Sequence, residues 1–243
     1  MTQTNPGNRP DFAEMGLYSQ DPERYRQIVE EISAKYPGVS LPPEYDYFVQ
    51  ENLLRFLIRL ARYKFVARML KKQDRVLEIG SGSGLGSMFL SQHCAHVTGM
   101  EVKGPELEAA KSICRRSNVD FVQGDLFAMP RTGQYDAVVA LDVIEHMPMP
   151  EGQKLVAAMA GQLKATGMVV IGTPSIHSYP YQSPASQASH VKCYDQDELL
   201  SLIDSSFGRT LPFSMNDEVV HTGFPKMAWY YFVLGFLPKT NVS

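Results

Sequence analysis

The segment Val76-Leu77-Glu78-Ile79-Gly80-Ser81-Gly82-Ser83-Gly84 carries the clearest chemistry in the chain. An apolar strand runs into a turn of small residues, and a helical pattern follows. Glycine has no Cβ, so a ligand can lie against bare backbone there. In an open α/β sheet, ligands sit beyond the carboxyl ends of the strands, near the first crossover. A dinucleotide fingerprint, G-x-G-x-x-G, would need glycine at position 85 or 87, where the chain has Leu85 and Ser87. The spacing is instead E-x-G-x-G-x-G, with an acid two residues before the first glycine. Further acids stand where later apolar strands end. Glu101 precedes Val102, Asp125 precedes Leu126, and Asp142 follows Leu141. An ionised carboxylate at the Glu101 position offers two acceptor oxygens, enough for both hydroxyls of a ribose.

The E-x-G-x-G-x-G turn resembles motif I of the class I S-adenosylmethionine-dependent methyltransferases. The string Asp142-Val143-Ile144-Glu145-His146 after an apolar strand resembles the ubiquinone-biosynthesis-type and related small-molecule methyltransferases, and Gly167–Gly172 is similar to their fifth strand. The resemblance spans about Arg75 to Phe236. It implies S-adenosyl-L-methionine as cofactor, held by Glu78, Gly80, Ser81, Gly82, Gly84, Glu101, Val102, Asp125, Leu126, Leu141 and Asp142. Within that set it implies Asp125 facing the adenine amino group. Val102-Lys103-Gly104-Pro105 departs from the short polar stretch that many relatives carry after the second strand's acid.

Methyl transfer from a sulfonium is an in-line displacement, in which a protein aligns the nucleophile and excludes water. A hydroxyl acceptor also needs a base, and histidine suits that role near neutral pH. His146, His190 and His221 are the candidates, with His177 behind them. The run from His190 to Tyr194 and on to Leu199-Leu200 is similar to relatives that place a histidine ahead of an aromatic residue and a helix. Asp142, Glu145 and His146 could ligate a metal, yet spacing names no further partner, so no metal is expected. Cys193 has no base motif beside it. Arg55, Arg59 and Arg62 fall on one helical face, which suits either an anionic substrate or solvent. Tyr45, Tyr47 and Phe48 suit either a pocket lining or core packing. The expected reaction is methyl transfer to a small-molecule hydroxyl oxygen, with nitrogen and carbon acceptors open. A nicotinamide-dependent oxidoreductase and a non-catalytic cofactor-binding module are the alternatives.

These residues need a scaffold, and the patterning supplies one. Short apolar strands at Val76–Ile79, His96–Met100, Val119–Val122, Ala137–Leu141 and Met168–Gly172 alternate with helical stretches at Gly84–His93, Pro105–Ser117 and Glu151–Lys164. That alternation builds a parallel sheet covered on both faces. A helix over Asp195–Asp204 and closing strands at Arg209–Met215 and Met227–Phe236 complete the expectation. It is an α/β fold with a Rossmann-like, seven-stranded, mostly parallel sheet, helices on both faces and an N-terminal helical extension. The stripe Met227, Trp229, Tyr231 and Val233 is expected in the sheet core.

Residues 1–72 read as an arm and helices forming a lid, with a loose arm over 1–20 and helices to about Lys35 and over Glu44–Lys71. Residues 73–243 read as the cofactor-binding domain, interrupted by an irregular insertion at 174–194. The 243 residues carry a net charge of −3, which disfavours a broad nucleic-acid footprint. Cys94, Cys114 and Cys193 are odd in number and form no C-x-x-C, so a reducing compartment is expected. Met1–Pro10 has no apolar signal core, and Met227–Leu237 is about half the ~20 residues of a membrane helix. The expectation is a cytoplasmic protein that acts on a small molecule, apart from membranes, with a homodimer left open.

Overall fold

The computed structural model describes residues 20–35 and 38–239, so the arm expected over 1–20 lies outside the described residues except for Gln20. Two compact units are present, one ending at Leu41 and the other beginning at Pro42. In the first, helix α1 (Pro22–Lys35) starts where Asp21 caps it, Glu23 N–H donating to Asp21 Oδ1 at 3.0 Å.

The second unit is built on one eight-stranded sheet, ordered β3-β2-β1-β4-β5-β8-β6-β7. Strands β1 (Arg75–Ile79), β2 (His96–Glu101), β3 (Val119–Gln123), β4 (Tyr135–Leu141) and β5 (Leu163–Pro174) pair in parallel. Helices α4 (Leu85–Leu90), α5 (Gly104–Ile113) and α6 (Met149–Gln162) connect them. Strand β8 (Tyr230–Pro238) then enters antiparallel between β5 and β6 (Phe207–Asn216). The eighth strand, β7 (Val219–His221), exceeds the seven expected. It arises because β6 runs on to Asn216 and the chain folds straight back, with Ser214 opposite His221. Asp217 makes that reversal in the left-handed region, φ 50°, where a short polar side chain is better tolerated than most.

The central strands are apolar on both faces, and each face has its own core. Leu77 and Val138 join one cluster with α6 residues Leu155, Val156 and Met159. Their neighbours Val76, Ala137 and Val139 join the other cluster, with Phe65 and Val66. This burial on both sides is what continuous apolar strands require.

Two helices replace the single segment expected over Glu44–Lys71: α2 (Pro43–Glu51) and α3 (Leu53–Met69). The break falls at Asn52, whose side chain accepts Arg55 N–H at 3.1 Å and so caps a new helix. Both helices belong to the sheet's compact unit. Phe65 of α3 packs 5.1 Å from Phe213 and 4.6 Å from Phe232, ring centre to ring centre.

The expected stripe from Met227 holds only in its second half. Met227 and Trp229 are 70% and 49% exposed, because they precede the strand; Tyr231 and Val233 are buried as expected. The insertion over 174–194 is not shapeless. Ser175 bridges to Tyr194 at its neck, and helix α7 (Pro184–Ser189) forms within it. Helix α8 (Gln196–Asp204) follows with a complete capping box between Asp195 and Glu198. Among the described residues, no helix is long and apolar enough to cross a membrane.

Candidate active site

Three glycines follow β1, all with positive φ: Gly80 at 68°, Gly82 at 51° and Gly84 at 82°. Each meets a different constraint. A Cβ on Gly80 would lie 2.7 Å from Val143 Cγ2, and one on Gly84 would lie 2.6 Å from the Phe121 ring and 2.8 Å from Ala110. These two glycines therefore admit packing from the chain itself. A Cβ on Gly82 would meet nothing within 4 Å among the described residues. The middle of the turn is bare backbone facing open space, the cradle that a ligand needs.

Glu101 sits at the tip of β2 and turns its carboxylate to this cradle. Its Oε2 accepts Gly82 N–H at 2.9 Å and its Oε1 accepts Lys103 N–H at 3.0 Å. Glu78 lies beneath, fully buried, and accepts hydrogen bonds from Ser87 Oγ at 2.5 Å and from the Tyr63 hydroxyl. Burial pushes its carboxyl up to about 7 against those bonds. Ser81 is buried, and its hydroxyl has no hydrogen-bond partner among the described residues. From α2, the Tyr45 hydroxyl accepts Leu85 N–H at 3.1 Å, fastening that helix to the end of the turn.

The remaining cofactor candidates divide by burial. Leu126 and Leu141 send their side chains into the two cores, so only their backbone is available to a ligand. Val102 is exposed. Asp125 is exposed, and its Oδ1 caps a single helical turn by accepting Phe127 N–H at 2.9 Å.

Asp142 lies elsewhere, on the wall of a cavity of about 750 Å³. Its backbone is left-handed, φ 57°, and its Oδ2 takes the Arg62 guanidinium at 2.6 Å. Arg62 in turn lies 3.9 Å over the Tyr230 ring. Arg59 pairs with Glu44. The α3 arginine face thus lines the cavity, Arg55 included.

Glu145, His146 and His190 also line this cavity. Glu145 is fully buried. Its Oε2 accepts Thr173 Oγ1–H at 3.0 Å, whereas Oε1 has no partner among the described residues. Burial first, and the charge of Asp142 second, push its carboxyl up to about 8. The His146 and His190 rings meet edge to face at 5.2 Å. Burial, then the neighbouring His146, hold the His190 imidazole below its ordinary value. His221 sits on β7, outside the cavity wall, and His177 is exposed and also outside it. The structure therefore brings together two of the three histidines expected at the site.

Glu145 is the residue that the expected cofactor and base set passed over, although it stands inside the Asp142–His146 string. Thr173 and Tyr230 carried no sequence signal, since they read as ordinary strand residues.

The chain resembles known proteins over the same region. The family described as Methyltransferase domain matches residues 76–167. The chain is 34% identical over 107 residues to the ubiquinone biosynthesis O-methyltransferase of Erwinia tasmaniensis, covering 41% of this chain and 42% of that protein. It is 31% identical over 121 residues to the enzyme of the same name from Escherichia coli O9:H4, covering 48% and 50%. The matches thus span about half or less of these relatives. Among solved structures, the N-methyltransferase NodS of Bradyrhizobium japonicum, in complex with S-adenosyl-L-homocysteine, superposes with TM-score 0.56 at 16% identity, covering 76% of this chain and 88% of that one. An S-adenosylmethionine-dependent methyltransferase of Mesorhizobium loti superposes with TM-score 0.56 at 13% identity, covering 74% and 98%. At such identities the structural likeness is one of fold.

Proposed function

We propose that this chain, whose residues 76–167 match the family described as Methyltransferase domain, is a class I S-adenosylmethionine-dependent methyltransferase that methylates a hydroxyl oxygen of a small molecule seated in the cavity beside Asp142 and Glu145. The observation that carries this reading is the open face of Gly82, joined to the Glu101 carboxylate and connected through Gly80 and Val143 to the loop that bears the cavity's polar residues. That turn fits the cofactor: its middle glycine leaves the needed space, and Glu101 supplies acceptors for ribose hydroxyls. Asp125 stands for the adenine end of the same cradle. When bound, S-adenosylmethionine supplies an electrophilic methyl group on a sulfonium.

The chain's own residues do the rest. Gly80, Ser81 and Gly82 offer backbone against which the amino acid part can lie, and Tyr45 holds α2 over the turn. The insertion and α3 wall the cavity, which limits water at the reacting oxygen. The Glu145, His146 and His190 cluster lines the cavity where the acceptor hydroxyl must lose its proton. An oxygen acceptor is supported by this proton-handling cluster and by the O-methyltransferases among the matched relatives.

The test is release of S-adenosylhomocysteine over a panel of hydroxylated and aminated small molecules, with calorimetric binding of S-adenosylmethionine beside it. Turnover confined to hydroxylated acceptors is the expected result. Turnover confined to amines would reverse the choice of atom, and absence of cofactor binding would end the reading.

A further inference from the structure

We propose that Glu145, His146 and His190 bind one divalent cation of the Zn²⁺ or Mn²⁺ class within the cavity, with open coordination positions toward the acceptor. The inference deepens the reading of this cavity as the acceptor site and rests on it for the acceptor's place. The cation site itself stands on side-chain geometry.

One ligand atom from each of the three residues lies within 4.8 Å of the other two. Bonds of about 2.0–2.2 Å to a shared ion put tetrahedral ligand atoms roughly 3.3–3.6 Å apart, so closure needs side-chain shifts on the order of 1 Å. Small rotations of two imidazoles and a carboxylate supply that.

The hydrogen bonding around the cluster is incomplete in the way a cation would complete. Glu145 is fully buried, and Oε1 has no partner among the described residues. A buried carboxylate oxygen left unpaired is costly, and pairing with a cation removes the cost. The Nδ1 of His190 is likewise buried without a hydrogen-bond partner. His146 is already oriented for ligation. Its Nδ1 lies 2.9 Å from the Ser189 carbonyl, an acceptor that fixes the proton on Nδ1 and leaves the Nε2 lone pair exposed. A ligating histidine almost always donates its other ring N–H in this manner. Thr173 plays the matching part for Glu145 by donating to Oε2.

The backbone holds the two halves together. Val191 and Lys192 N–H both donate to the Glu145 carbonyl, at 2.7 and 3.1 Å, so the segment carrying His190 is fastened to the one carrying Glu145 and His146. Two imidazoles and one carboxylate suit borderline first-row divalent ions better than Ca²⁺ or Mg²⁺, which prefer all-oxygen sets. Three protein ligands also leave positions open for substrate oxygen. A hydroxyl bound at such a position has its pKa lowered, as water does on zinc. The imidazole lone pairs then hold the cation, and the hydroxyl's proton passes to solvent.

The experiment uses the full chain stripped with a chelator and dialysed. Zn²⁺ is titrated by calorimetry, and Mn²⁺ by loss of its free electron paramagnetic signal. One equivalent binding at micromolar or tighter Kd is expected. Glu145→Gln and His190→Ala should each weaken it at least 10-fold, while His177→Ala should leave it unchanged. Unaltered S-adenosylmethionine affinity in the variants certifies their fold. No stoichiometric binding, or equal binding by the triple variant Glu145→Gln, His146→Ala, His190→Ala, overturns the site. Full S-adenosylhomocysteine release from the stripped protein, with no cation bound, overturns the cation's place at the acceptor and keeps the methyltransferase reading. Specific cation binding without any methyl transfer keeps the site and removes that reading.

Discussion

The backbone N–H of Gly82 donates to Glu101 Oε2 across 2.9 Å, joining the open middle of the glycine turn to the tip of β2. The bond places a carboxylate beside bare backbone without filling the space over Gly82. Glu101→Ala removes both the acceptors proposed for the ribose and this brace on the turn. We expect S-adenosylmethionine affinity to fall by about 1.5–3 kcal/mol, the scale of a hydrogen bond to a charged group. Calorimetry on the folded variant checks it, and unchanged affinity would remove Glu101 from the cofactor site.

The three glycines should respond differently to substitution. Gly82→Val puts a branched side chain into the open cradle, so cofactor binding should be lost. Its left-handed backbone adds a stability cost of about 1–2 kcal/mol for a non-glycine residue. Gly80→Ala drives a methyl into Val143, so its main effect should be a lower melting temperature. Normal cofactor binding by Gly82→Val would place the ligand elsewhere.

Glu78 makes stability depend on pH. Its carboxyl is raised from 4.5 to about 7 in the folded protein, chiefly by burial. The native state therefore holds this proton more tightly than the unfolded state. The resulting stability is fully present below about pH 4.5, falls as the pH rises, and is gone above about pH 7, a loss on the order of 3 kcal/mol. Glu78→Gln cannot titrate, so urea unfolding at pH 5 and pH 8 should show a smaller difference in the variant than in the wild type. Equal differences would refute the assignment.

What the sequence made legible, and what it hid, follows from distance along the chain. The turn at 80–84 and the acid of β2 are local features: each is written in an apolar strand and the few residues at its carboxyl end. The break at Asn52 was hidden because Leu53 and Leu57 continue a helical period, yet both are exposed. The deciding interaction is one side-chain cap. The partnership of His146 with His190 was hidden for another reason. It depends on how the insertion folds back through the Glu145 carbonyl, a set of backbone bonds that leaves no mark on residue type. The eighth strand and the early exposed residues before β8 likewise depend on where a turn falls, the least specified quantity in an alternating pattern.

The pair formed by Arg62 and Asp142 gives the sharpest test of the cavity wall. Both side chains are mostly shielded, 21% and 24% exposed, and they meet at 2.6 Å. Burial opposes the guanidinium's charge, but the Asp142 carboxylate outweighs it and raises the Arg62 pKa. Arg62→Met leaves Asp142 without its cation, close to the Glu145 carboxyl whose proton affinity Asp142 already raises. Breaking one side of a shielded pair in this way should cost about 3 kcal/mol. Asp142→Asn in the same background removes the stranded charge, so the double variant should recover part of that loss. The interaction energy from the four-way comparison should exceed about 1 kcal/mol, as expected for residues in direct contact. Strict additivity in denaturant unfolding would mean that the pair contributes nothing as a unit, and that Arg62 acts only through its stacking on Tyr230.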